Sequence, residues 1–209
     1  MDEALLDYVR NLFAVEDDHL TRIRQRTEEE GLPTIGVRPE EGRMLQVLMA
    51  AVGARRVVEI GTLAGYSGTW IARALPDDGK LITFEADEHH AQVARQLFEE
   101  GGLAEKVDIH VGPALDHLRS IDETVDAVFI DADKDSYPAY LAWAMDHVRP
   151  GGLITAHNAF MRGRVIDPDA QDEPGVRNMR AFNQTVARDE RLTGMILPFG
   201  DGLTIAVVR

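Results

Sequence analysis

Short apolar runs alternate with longer amphipathic stretches along most of this chain. Val57, Val58 and Ile60 open the series, and similar runs follow at 80–85, 107–111, 125–130 and 152–156. Between them, 66–75, 88–101, 114–121 and 136–149 carry apolar residues at helical spacing. Strands this short and apolar are buried on both faces, and their alternation with helices predicts a parallel sheet covered on each side. Two helices are expected ahead of it, at 2–13 (Leu5, Leu6, Val9, Leu12, Phe13) and at 16–30, the second strongly charged. Gly31-Leu32-Pro33-Thr34-Ile35-Gly36 breaks the pattern, and Pro39 suits the first turn of a third helix with Met44, Leu45, Val47, Leu48 and Ala51 on its apolar face. A long polar loop, 158–174, leads to a helix at about 175–189. Two last strands, 192–198 and 203–208, flank Gly200-Asp201-Gly202, a hairpin signal. The expected class is α/β, with an antiparallel pair at one side. No repeat or composition shift divides residues 1–209, so a single domain is expected.

The densest local signal is 56–68, Arg-Val-Val-Glu-Ile-Gly-Thr-Leu-Ala-Gly-Tyr-Ser-Gly. A strand runs through Gly61 and Gly65 into a helix that begins at Tyr66. Such a turn brings backbone close to a ligand and leaves the first helical N–H groups free to donate. The glycine spacing is not that of the dinucleotide fingerprint, which makes an NAD-linked oxidoreductase remote. Glu59, two positions before Gly61, points toward a cationic or hydroxyl-rich ligand. The competing reading is an ordinary strand-to-helix turn.

Ligands of parallel sheets bind at the C-terminal strand ends. There the second strand finishes in Glu85, placed to accept ribose hydroxyls, and the third leads to Gly112-Pro113-Ala114, a tight turn where a flat adenine ring would lie. The fourth ends in Asp131-Ala-Asp133-Lys134 and the fifth in Ala156-His157-Asn158. Charge at the end of a buried strand is costly unless something uses it. Asp131, His157 and Asn158 offer three donors for a divalent metal, and Lys134 beside such an ion would become a general base. The alternative is a helix-capping aspartate and a solvated lysine. His89-His90 reads as a solvated face, His19, His110, His117 and His147 lack ligand spacing, and Trp70 and Trp143 read as core.

Charge and composition narrow the field. A net charge of −14 repels a phosphate backbone, and Arg55-Arg56 and Arg162/Arg164 make no basic stripe, so no nucleic-acid partner is expected. No apolar run approaches the ~18–20 residues of a membrane span, and the start, Met1-Asp2-Glu3-Ala4, lacks the features of a signal peptide. With no cysteine there is no disulfide, thiolate metal site or cysteine nucleophile. A cytoplasmic address is expected.

Four segments together carry a family resemblance: Val58-Glu-Ile-Gly-Thr-Leu-Ala-Gly-Tyr-Ser67, Phe129-Ile-Asp-Ala-Asp-Lys-Asp-Ser-Tyr137, Arg149-Pro-Gly-Gly152 and Gly200-Asp-Gly-Leu-Thr204. From about Gly31 to Arg209 the chain resembles the small, metal-dependent O-methyltransferases that use S-adenosylmethionine (AdoMet), the catechol and caffeoyl-CoA O-methyltransferases and their bacterial relatives. The resemblance implies a doubly wound, seven-stranded Rossmann-like sheet, a homodimer and a phenolic or catechol acceptor. It places Glu59, Gly61, Tyr66 and Ser67 on the methionine part of AdoMet, Glu85 on its ribose and Ala114 against adenine. Asp131 would be a metal ligand and a neighbour of the sulfonium, Lys134 the base, and Asn158 a further ligand. The 158–174 loop with Ile35–Arg38, and the N-terminal helices of 1–53, would shape and cap the acceptor pocket.

One departure stands out. The family pattern reads Asp-Asn where this chain has His157-Asn158. Mg²⁺ is the ion implied by the resemblance, but a neutral nitrogen donor favours Mn²⁺, Fe²⁺, Co²⁺, Ni²⁺ or Zn²⁺. Alternatively the imidazole no longer binds metal and acts as an acid or base. Phe160-Met161, where relatives often carry tryptophan, bears on the acceptor. Two rival functions follow from the same residues: a tRNA hydroxyuridine O-methyltransferase, and a non-catalytic AdoMet-binding protein whose metal site has decayed.

Overall fold

A computed structural model describes residues 3–209; the expected start of the first helix at residue 2 lies outside the described residues. Three helices, α1 (Glu3–Phe13), α2 (Asp18–Glu29) and α3 (Pro39–Ala51), precede the alternating region. That region runs β1 (Arg56–Ile60), α4 (Tyr66–Ala72), β2 (Lys80–Glu85), α5 (Glu88–Glu100), β3 (Val107–Val111), α6 (Ala114–Leu118), β4 (Val125–Ile130), α7 (Tyr137–His147) and β5 (Val148–Ala156). It closes with α8 (Pro174–Arg188), β6 (Leu192–Leu197) and β7 (Leu203–Val208). The sheet has seven strands in the order β3-β2-β1-β4-β5-β7-β6, parallel from β3 to β5, with β7 antiparallel to both its neighbours. Fold class and strand pattern agree with the sequence reading.

Alternation along each strand divides the core between the two faces. Val57, Ala127 and Phe129 pack with Leu45, Trp70, Ile71 and Phe98 on the side of α3, α4 and α5. Val58, Ile60, Val128 and Ile130 pack with Leu118, Tyr137, Leu141 and Phe182 on the side of α6, α7 and α8. Successive side chains point to opposite faces, so each apolar strand serves two cores. Gly42 lets α3 settle on α4, because a Cβ there would overlap the Trp70 indole. Trp70 is core, as expected; Trp143 is partly buried, donates to the Leu118 carbonyl at 3.0 Å and stacks on His147.

The differences from expectation lie at the element ends. α4 stops at Ala72 and α6 at Leu118, each short of the predicted stretch. β5 begins at Val148, four residues early, with its register shifted past Pro150-Gly151 before it pairs fully with β4. The 158–174 loop contains two 3-10 turns, Met161–Ile166 and Pro168–Ala170. In α1 only Leu6 is buried, and Leu5, Tyr8, Leu12 and Phe13 are exposed.

Register sets what meets at the C-terminal edge. Ile60 pairs with Ile130 and Ile130 with Ala156, so Gly61, Asp131 and His157 leave the sheet side by side. Three backbone bonds continue the ladder one step beyond: Gly61 N–H to Phe84 O, Asp131 N–H to Ile60 O and His157 N–H to Ile130 O.

Candidate active site

A cavity of about 940 Å³ opens over this edge. Gly61, Tyr66, Ser67, Glu85 and Ala114 line it toward β1 and β2, and Asp131, Lys134 and Asn158 toward β4 and β5. Pro33–Val37 and Met161, Arg162 and Arg164 close it from the loops, although Arg38 and Phe160 stay outside the wall. Phe160 instead packs against Gly202 in the β6–β7 turn.

The first half is built from backbone. Gly61 has φ +100°, and a Cβ there would overlap the carbonyl oxygen of Asp131. Only glycine permits both the angle and the approach. The Glu85 carboxylate accepts N–H bonds from Thr62 (3.3 Å), Leu63 (2.7 Å) and Asp87 (3.0 Å), which pins the glycine turn to the end of β2. Gly65, in the left-handed region, opens α4. His90, expected to be solvated, is half-buried on the cavity wall with Nδ1 3.5 Å from Glu85.

Glu59 does not reach the cavity. It is wholly buried beneath α4, where its carboxyl accepts the hydroxyls of Ser67 (2.6 Å) and Thr83 (2.8 Å). Burial pushes this carboxyl up to about 7, with Asp131 and Glu85 adding to the rise and the two hydroxyls opposing it. Glu59 thus supports Ser67, which does line the cavity. Tyr66 lines the cavity but turns its hydroxyl to Glu16 at 2.7 Å, under the guanidinium of Arg24.

The second half is built from charged side chains. Lys134 Nζ donates to Asp131 Oδ1 (3.2 Å), to the Ala132 carbonyl (3.0 Å) and to the Tyr137 hydroxyl (2.7 Å). Tyr137 is buried, its phenol is held well above its ordinary range first by that burial and then by Asp131, and its hydroxyl lies 3.1 Å from the His157 carbonyl. Asn158, at φ +60°, donates to Asp201 Oδ2 at 3.3 Å.

His157 is 5% exposed and lies between two carboxylates. Nδ1 is 3.1 Å from Asp131 Oδ2, and Nε2 is 3.3 Å from Glu41 Oε1. Burial works against a charged ring, but hydrogen bonds to Asp131 and Glu41 and their charges outweigh it and carry His157 up to about 10. Asp131 is held below the usual carboxylate range, since His157 and Lys134 outweigh its own burial.

This arrangement does not fit the expected metal centre. A metal-bound histidine gives the ion one ring nitrogen as a lone pair and keeps an N–H on the other. Here Nε2 has the carboxylate partner that a ligating ring would also have, but Nδ1, the nitrogen left for an ion, lies against an Asp131 oxygen instead. Asp131 spends one oxygen on His157 and the other on Lys134.

The sequence profile of the O-methyltransferase family matches residues 11–209. The chain belongs to the O-methyltransferase family. It is 39% identical to a catechol O-methyltransferase of Niastella koreensis, over 99% of this chain and 97% of that one. It is 34% identical to a caffeoyl-CoA O-methyltransferase of Eucalyptus globulus, over 97% of this chain and 87% of that one. The solved O-methyltransferase from Bacillus cereus in complex with SAH is similar in fold, with a TM-score of 0.92 and 38% identity, covering 99% and 97% of the two chains. The resemblance drawn from four motifs thus extends over the whole O-methyltransferase chain. Among the described residues no helix is long and apolar enough to cross a membrane.

Sequence reasoning missed Glu41, Tyr137 and Asp201. Glu41 reads as an ordinary first-turn acid behind Pro39, and Asp201 as a hairpin residue. Tyr137 had a signal, since it lies three residues past Lys134 at the start of a helix, within reach of its side chain.

Proposed function

We propose that this O-methyltransferase moves the methyl group of AdoMet onto a hydroxyl of a small phenolic, catechol-like acceptor. The observation that carries the reading is one continuous cavity with a glycine turn and Glu85 at one end and Lys134 beside Asp131 at the other. The AdoMet-derived ligand named for the Bacillus cereus structure and the acceptors named for the Niastella and Eucalyptus relatives support it. Glu85 would accept the ribose hydroxyls, Ala114 would lie against adenine, and Gly61, Tyr66 and Ser67 would hold the methionine part, with Glu59 fixing Ser67 from below. The sulfonium is cationic, so the Asp131 carboxylate stabilises it electrostatically.

At rest Lys134 is the cation beside Asp131; once its Nζ has given a proton to solvent, it takes the proton of the acceptor hydroxyl. The oxygen attacks the methyl carbon in line as the carbon–sulfur bond breaks, leaving a neutral thioether. Tyr137 and the Ala132 carbonyl hold Nζ at the cavity wall, and the fixed geometry supplies proximity. The homodimer implied by the family would cover Leu5, Tyr8, Leu12 and Phe13 of α1, a face that light scattering of the purified protein would report as a doubled mass.

The test is turnover of AdoMet with a catechol panel, followed as methylated product by mass spectrometry. Lys134→Ala should lower kcat by about 100-fold or more while leaving the AdoMet Kd within about threefold. Equal loss of both would overturn the base assignment. AdoMet binding with no methylation of any catechol would favour the non-catalytic reading, which His157 in place of a family aspartate supports.

A further inference from the structure

We propose that the Glu41–His157–Asp131 bridge takes the place of a divalent ion, so that this chain binds its acceptor and transfers methyl without one. The inference rests on the proposed methyl transfer for its catalytic half only. Four charged side chains meet at the ends of β4 and β5, arranged as Glu41, His157, Asp131 and Lys134, carboxylate and cation in turn. Each negative group already has a positive neighbour within hydrogen-bond distance, and two of the four, Glu41 and His157, are almost completely buried. A divalent ion bound to Asp131 would have to displace Lys134 from Oδ1 or the His157 ring from Oδ2, breaking a contact in a poorly solvated place.

The bridge is also closed from outside. Glu41 sits in the first turn of α3, where its other oxygen accepts the Arg38 N–H at 2.7 Å. Gly200 lies directly over its carboxylate, since a Cβ there would overlap Glu41 Oε1. His157 does not line the cavity, whereas Asp131 and Lys134 do. It is therefore a positioning residue: it fixes the Asp131 carboxylate from behind, leaving Lys134 to face the acceptor.

Two readouts test this on the purified, metal-stripped protein. In a Mn²⁺ titration followed by electron paramagnetic resonance, the wild type should leave the free-ion signal undiminished, and turnover in EDTA should match that in added Mg²⁺ within about twofold. His157→Asp restores an oxygen donor beside Asp131 and Asn158 and should capture about one Mn²⁺ per chain. Glu41→Gln, which frees Nε2 while keeping shape, should raise KM for the acceptor more than it lowers AdoMet affinity. Stoichiometric Mn²⁺ capture by the wild type, or a loss of about tenfold or more in EDTA, overturns the proposal. The titration decides the matter even if no catechol is methylated, an outcome that overturns only the proposed function.

Discussion

The two halves of the cavity are made by different means. Around Gly61 the wall is backbone, held by N–H bonds to Glu85 and by a close approach to the Asp131 carbonyl. Around Lys134 the wall is side chain, Asp131 and Lys134, backed by His157 and by Glu41 of α3 behind it. A backbone-built site tolerates almost no change in local sequence, because a φ angle and a contact are both at stake. A charge-built site can exchange its parts, provided the signs still alternate.

Substitutions on each side sharpen that contrast. The largest effect is expected from Gly61→Ala, which forces a Cβ into the Asp131 carbonyl at an angle that L residues avoid. It should cost about 3 kcal/mol of folding stability, read as a lowered urea midpoint, and abolish AdoMet binding. A well-folded Ala variant that still bound AdoMet would break the backbone-built account. Next comes Glu85→Gln, which keeps the shape but weakens the bonds to Thr62 and Leu63. AdoMet Kd should rise about tenfold with kcat nearly unchanged, the mirror image of Lys134→Ala.

The smallest effect concerns Glu59 and pH. Its carboxyl is raised from 4.5 to about 7 in the fold, so the protonated form is the one that folding favours. That contribution is fully present below about pH 4.5 and is lost as pH rises through about 7. Glu59→Gln removes it. The variant should therefore compare better with the wild type at pH 8 than at pH 5 in urea unfolding, and a difference independent of pH would mean that Glu59 is ionised throughout.

Legibility in the sequence follows the same division. The β1–α4 turn was readable because strand, glycine and helix are neighbours in the chain, so pattern and geometry coincide. Lys134 and Asp131 were readable for the same reason. His157 was legible as a charge at a strand end but its partner was not, because Glu41 lies 116 positions away and reaches it only after α3 folds across the sheet edge. Without that second carboxylate a histidine beside an aspartate reads as a ligand; with it, both ring nitrogens have a carboxylate oxygen within hydrogen-bond distance. Glu59 was legible only in part. Its place in the motif suggested a ligand contact, whereas the strand alternation that buries Val57 also turns Glu59 inward beneath α4. The apolar residues of α1 predicted a helix, but nothing in their spacing tells whether the chain itself covers them.

The seating of Glu41 beneath Gly200 has a consequence for how such a chain can be altered. Any larger residue at 200 pushes the Glu41 carboxylate off His157, and any shorter acid at 41 leaves the imidazole facing a gap. Positions 41, 157 and 200 therefore form one unit of variation, in which a single exchange is penalised and a matched set is tolerated. An engineer wishing to convert this centre to another charge pattern would have to move all three together, and would meet weakened proteins along every one-step route.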